Sequence, residues 1–205
     1  MIGKLAREAV RLNARAKASQ ALPALVLMTD DERFPDPLSV ARLLPRGSLV
    51  VLRTRDTTRR GALAHALLRI AADRGIRVSI AGDPQLAARC GADGAHFPEV
   101  RIGEAMHWRT RRPHWLITCA AHSLGSCAGA FGAHADAVFL SPVFATLSHP
   151  GGDCLGPLRA LAIARASPLP VYALGGINAQ NAARLGEGGF VGIAAVGGLA
   201  RGGNR

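Results

Sequence analysis

Residues 171–178 read VYALGGIN and residues 189–198 read GFVGIAAVGG. Each is an apolar run, without polar alternation, that stops at a pair of glycines. A short continuous run of this kind suits a strand buried on both faces, as in a parallel sheet covered by helices. Working back from this pair, similar runs lie at 24–29, 48–54, 77–82, 94–98, 115–121 and 137–143, and the two quoted runs complete the set as strands over 170–176 and 189–195. That makes eight strands. The stretches between them, at 36–44, 57–75, 83–91, 102–110, 123–132, 155–166 and 178–189, have helical period. Asp36, Thr57, Asp83, Ser123 and Asn178 stand where side chains cap helix starts, and Gly75, Gly91 and Gly186 where helices stop. Eight strand–helix units predict one α/β domain, a (β/α)8 TIM barrel.

The final unit, GGLARGGNR over 197–205, leaves the eighth helix truncated to a turn or missing. An extra N-terminal amphipathic helix is expected within residues 1–20, with the barrel over 21–205. Leu5, Leu12 and Ala16 share one side of that helix, and Arg7, Arg11 and Arg15 share another, which is read as a solvated face. The flank bared by a short eighth helix is expected to be covered by this helix or by a second copy in a homodimer.

With 205 residues, 49% of them hydrophobic and 19% charged, the chain is long and apolar enough for a large core. No run reaches the roughly 18 apolar residues of a membrane span, and no signal-peptide core opens the chain, so a soluble cytoplasmic protein is expected. Cys90, Cys119, Cys127 and Cys154 form no CxxC pair and are expected as buried free thiols. The formal charge of +11 invites nucleic acid, but the arginines are scattered and aromatics are only 4%, too few for base stacking. Small phosphorylated anions suit it better.

In a barrel of this type the loops after strands seven and eight commonly hold phosphate. Gly175, Gly176, Gly197 and Gly198 sit there, where main-chain amides can approach an anion closely. Among 24 glycines a pair can also be a simple turn, yet two pairs at these two strand ends point to a phosphate site. Only Lys4 and Lys17 are lysines, neither at a strand end, so Schiff-base chemistry is not expected.

The segments LVLMTD, VVLRTRD, LAARCGADGAHF, CAAHS, ADAVFLSPVFATLSHPG, PVYALGGIN and GFVGIAAVGGL, in this order, resemble the thiamine phosphate synthase/TenI family of thiamine biosynthesis. The resemblance covers nearly the whole chain, and GADGAHF, SPVFAT and ALGGI are its most specific pieces. It implies a (β/α)8 barrel that binds a phosphorylated thiazole. Arg53 and Arg55 match the basic pair that meets a pyrimidine diphosphate in the synthases, where the second is usually lysine. Thr146 and Ser148 match hydroxyls near the thiazole phosphate and carboxylate, while Gly175, Gly176, Val196 and Gly197 match the phosphate cradle.

The departures concern charge. Where the resemblance implies an Asn-Asp pair after strand three, with magnesium on the Asp, this chain has Ala81 and Gly82, and Asp83 beyond them is expected to cap a helix. A second metal carboxylate is replaced by Arg101, with Glu99 nearby, and the lysine ending the strand-six loop by His149. Magnesium would offset the charge on a departing pyrophosphate, so its ligands matter to a synthase.

His122 matches a histidine to which the family's thiazole tautomerases give proton transfer, at a position where its synthases also often carry histidine, so the residue alone does not separate the two. An imidazole, with an ordinary pKa near ~6.5, can take a proton at one carbon and deliver one at another without a metal. A helix cap is the plain alternative for His122, and His96 is read as a structural barrel histidine. The expected function is therefore a metal-free thiazole tautomerase with His122 catalytic. The alternatives are a divergent thiamine phosphate synthase, in which case magnesium enters as cofactor, and a non-catalytic phosphate-ligand binder. The expected partner is a small phosphorylated thiazole, with neither nucleic acid nor membrane.

Overall fold

The computed structural model describes residues 2–16, 22–32, 36–146, 153–186 and 188–196. Eight parallel strands close into a barrel in sequence order, with the last paired to the first. They are β1 (Leu25–Met28), β2 (Leu49–Leu52), β3 (Arg77–Ala81), β4 (Gly94–Phe97), β5 (Leu116–Ala121), β6 (Ala137–Leu140), β7 (Val171–Ala173) and β8 (Phe190–Ala195). Every strand lies inside a run picked out by its apolar character. Alternate residues face opposite ways: Val26, Met28, Val51, Phe139, Tyr172 and Ala194 fill the interior, while Leu25, Leu27, Val50 and Leu52 join the layer beneath the helices. Both faces are buried, which is why these strands read as continuous rather than alternating.

The helices are α1 (Ile2–Arg15), α2 (Pro37–Arg42), α3 (Thr57–Arg74), α4 (Pro84–Cys90), α5 (Gly103–Arg111), α6 (Leu124–Gly132) and α7 (Pro157–Ala166). Asp36, Asp83 and Ser123 cap α2, α4 and α6 as expected, and Gly75 and Gly91 end α3 and α4 in left-handed conformation. One cap differs: Asp56, not Thr57, receives the amides of Thr58 and Arg59 at the start of α3. An acceptor must precede the first turn to reach its amides, and Thr57 already belongs to that turn.

The expected helix over 178–189 is a single 3-10 turn, Ala182–Leu185. Asn178 Oδ1 accepts from the amides of Gln180 and Asn181, Asn181 Oδ1 accepts from the Asn178 amide, and Asn181 Nδ2 donates to the Gly176 carbonyl. The Asn178 bonds are those of a helix cap, as expected, satisfying first-turn amides, but the turn that follows stops at Leu185, where Gly186 takes a positive φ of 73°.

Helix α1 packs on β8 and β1, burying Leu5, Ala9 and Leu12. Asn13 Nδ2 fastens it by donating to the carbonyls of Val191 (2.7 Å) and Leu22 (3.3 Å). The N-terminal helix thus covers the flank between the last and first strands. Ala16 lies just past its end, half-buried, and Arg11 pairs with Glu8 at 2.9 Å. The expectation for an eighth helix over 197–205 falls outside the described residues.

The same aspartate device is used twice at the amino ends of the strands. Asp93, in GADGAHF, donates its amide to the Val78 carbonyl and accepts the Val78 amide on Oδ2. Asp136 does the same with Ile117 and also holds Arg109 at 2.6 Å. Two cysteine expectations need correction: Cys119 on β5 and Cys127 on the inner face of α6 are buried free thiols, but Cys90, the last residue of α4, is half-buried and Cys154, in the loop before α7, is exposed. Among the described residues no helix is long and apolar enough to cross a membrane.

Candidate active site at the carboxyl rim

Those residues singled out by sequence that the structure describes lie at the carboxyl ends of β2, β4, β5, β6, β7 and β8. Arg53 follows β2, its amide donating to Thr29 Oγ1 and its carbonyl accepting from the same hydroxyl. Its guanidinium pairs with Asp30 at 2.5 Å, so the cation reaches the rim with a carboxylate beside it. The expected basic pair is split. The Arg55 side chain is 95% exposed and only 3.8 Å from Glu32, while its amide bonds Asp31; the chain turns outward into α3 at this point.

Beneath the rim, His96 on β4 is buried with Nδ1 2.9 Å from Thr118 Oγ1, and its ring stacks on Phe139 at 4.8 Å. Burial, and secondarily the charge of Arg53, push its pKa down to about 3. It is a neutral imidazole wedged into the barrel, in keeping with a structural role.

His122 follows β5. The capping alternative fails for it: Ser123 and Ser126 form the reciprocal cap of α6, and His122 contributes only an amide, donated to Ser126 Oγ. Its ring turns over the rim, 57% exposed, with Nδ1 2.6 Å from the Ser141 carbonyl. A carbonyl can only accept, so Nδ1 carries hydrogen, and in the neutral ring Nε2 is then the nitrogen with the lone pair. Nε2 lies 3.8 Å from Glu99 Oε2.

Ser141 opens the loop after β6, which runs against the loop after β7. The Val143 and Phe144 amides donate to the carbonyls of Leu174 and Gly175. At Gly176 the backbone has φ +64°, and an added Cβ would stand 2.3 Å from the Ala145 carbonyl oxygen. Close approach of two backbones therefore forbids a side chain there. The amides of Gly175, Gly176 and Ile177 donate to no acceptor among the described residues, an arrangement that can receive an anion. Thr146 is half-buried where the described part of the strand-six loop ends, and Val196 half-buried after β8. Ser148, His149, Gly197 and Gly198 lie outside the described residues.

The positions implied for magnesium hold a different donor set. Gly82 offers a carbonyl that accepts from Arg101 Nη1 at 2.8 Å, and Arg101 also forks onto Glu104 at 2.5 and 2.7 Å. The Arg101 hydrogen bonds hold the Glu104 carboxyl below its usual range. Asp83 caps α4 through Oδ1 and faces Arg60 at 3.5 Å through Oδ2. A guanidinium where a second carboxylate would be needed does not fit a divalent cation. Among the described residues no cluster of His, Cys, Asp or Glu is arranged for a metal. Asp30 and Glu104 escaped sequence analysis because their roles come from pairing with arginines; the acidic MTDDE stretch after β1 was the available signal for Asp30.

A sequence model of the family described as thiamine monophosphate synthase matches residues 25–199, nearly the whole barrel. The chain belongs to the thiamine monophosphate synthase family. It is 34% identical over 184 residues to a thiamine-phosphate synthase of Methanoculleus marisnigri, covering 84% of this chain and 85% of that one. A thiamine-phosphate synthase of Marinobacter nauticus is 33% identical over 189 residues, covering 88% and 84%. Among solved structures, a thiamine phosphate pyrophosphorylase from Pyrococcus furiosus superposes with a TM-score of 0.71 at 21% identity, covering 86% of each chain. For the family, the structure adds that this member has Arg101, bonded to Glu104 and to the Gly82 carbonyl, where the resemblance implies a metal carboxylate.

Proposed function

We propose that this family member is a tautomerase of a phosphorylated thiazole carboxylate. The observation that carries it is His122, an exposed rim imidazole whose Nδ1 is tied to the Ser141 carbonyl, leaving Nε2 to exchange protons. In this reading Nε2 removes a proton from one carbon and returns it to another carbon of the same ring system, without net change in composition. The amides of Gly175, Gly176 and Ile177, together with Val196 and Gly197, receive the phosphate. Thr146 and Ser148 orient the carboxylate, Arg53 and His149 balance its charge, and Arg55 has no contact role. No metal takes part.

A second reading, thiamine phosphate synthase, is favoured by the names of the relatives. One experiment separates them. The protein is incubated in D2O with the thiazole carboxylate phosphate, and separately with thiazole phosphate, aminopyrimidine diphosphate and magnesium. Deuterium entering the thiazole, lost in His122→Ala, supports the tautomerase. Pyrophosphate release in the second mixture would support the synthase, and ligand binding without either reaction a non-catalytic binder.

A further inference from the structure

Glu99 opens the 3-10 turn Glu99–Arg101 that follows β4, and its Oε2 is a buried carboxylate oxygen with no hydrogen-bond donor among the described residues. Such an atom has lost its water without gaining a partner, an unfavourable state for a charged acceptor. The nearest cation along the chain, Arg101, does not relieve it, because its guanidinium is committed to Glu104 and to the Gly82 carbonyl. The group that Oε2 does face is His122 Nε2, at 3.8 Å. That separation is too long for a hydrogen bond but within the reach of a charge pair.

His122 is equally one-sided. With Nδ1 donating to Ser141, a neutral ring turns a lone pair toward Glu99, and two electron-rich atoms then face each other. Once Nε2 takes up a proton, the ring becomes an imidazolium and the same contact becomes attractive. The unfavourable burial of Oε2 is thus relieved only in the protonated state of His122. An interaction absent from the resting state and present when charge develops favours the reaction rather than the binding.

We propose that Glu99 is the positioning residue of His122, its carboxylate placed to stabilise the imidazolium formed when Nε2 accepts the substrate proton. This deepens the tautomerase reading and rests on it for the identity of the proton donor. The bond changes balance: the substrate C–H bond breaks, Nε2–H forms, and the reverse at the second carbon regenerates the neutral ring. Glu99 remains a carboxylate throughout.

The test uses the full chain and two readouts. Glu99→Gln keeps the shape and removes the charge, and Glu99→Asp withdraws the charge by one methylene. The first readout needs no substrate: carbethoxylation of His122 by diethyl pyrocarbonate, which consumes the Nε2 lone pair, followed by peptide mass spectrometry at constant pH. It is expected to run at least about threefold faster in Glu99→Gln, with an intermediate rate in Glu99→Asp. The second is thiazole turnover, where kcat is expected to fall about 10- to 30-fold in Glu99→Gln with KM within about twofold, and the substitution to add nothing in a His122→Ala background. Unchanged carbethoxylation overturns the pairing, and unchanged kcat overturns its role in the reaction. Faster carbethoxylation in a protein whose wild type does not turn over the thiazole supports the pair and refutes only the tautomerase reading.

Discussion

Acid is expected to destabilise this protein through His96. The imidazole is buried, bonded to Thr118 and stacked on Phe139, and its pKa is pushed down to about 3 from the ordinary 6.5, first by burial and then by the charge of Arg53. The native state therefore refuses a proton that the unfolded chain binds below about pH 6.5. Stability from this group is fully present above that value and is lost as pH falls, until the native pKa near 3 is passed. Each pH unit inside the window favours unfolding by about 1.4 kcal/mol per proton. Integrated between pH 6 and pH 4, the loss is about 2.5 kcal/mol, a large share of the roughly 5–15 kcal/mol that holds an ordinary domain together. The perturbation is His96→Asn, which keeps a polar contact for the Thr118 hydroxyl but cannot titrate. Urea unfolding followed by the fluorescence of the stacked Trp108–Trp115 pair, at several pH values, gives the stability of both proteins. Contributions of the other titrating groups cancel in the comparison. The wild type should lose about 2.5 kcal/mol more than the variant over this interval. Parallel curves would refute the reasoning, since they would mean that the native ring gains its proton as readily as the unfolded one.

Gly176→Ala forces a Cβ to 2.3 Å from the Ala145 carbonyl oxygen at a left-handed backbone. It should lower stability by at least about 2 kcal/mol and inorganic phosphate affinity at least about tenfold, measured by thermal unfolding and calorimetry. Tyr172→Phe removes the buried hydroxyl that donates to the Pro23 carbonyl at 2.7 Å and should cost about 1–3 kcal/mol in urea unfolding. Asn13→Ala releases the two carbonyl contacts that fasten α1, and hydrogen exchange should show the amides of α1 opening well before those of β1 and β8.

The barrel was legible because its signals are local. Runs such as Leu25–Met28 and Phe190–Ala195 declare burial on both faces within four to six residues, and Asp36, Asp83 and Ser123 act on amides within one turn. The one strand-to-strand link that differs is 178–189: Asn178 receives the Gln180 and Asn181 amides as a cap should, but the turn runs only to Leu185 before Gly186 takes a positive φ.

The alternation of eight apolar runs with helical segments, the family resemblance, and the presence of His122 and the glycine pairs at strand ends can all be read from the order of residues. Which side chains meet was decided by the tertiary structure alone. Closing the barrel brings Glu99 after β4 against His122 after β5, ties that ring to Ser141 after β6, presses Gly176 against Ala145, and sends Arg55 outward while Arg53 turns to Asp30. Strand character is a property of a few adjacent residues, whereas a site is a set of distances between residues far apart in the chain, fixed only when the last strand pairs with the first.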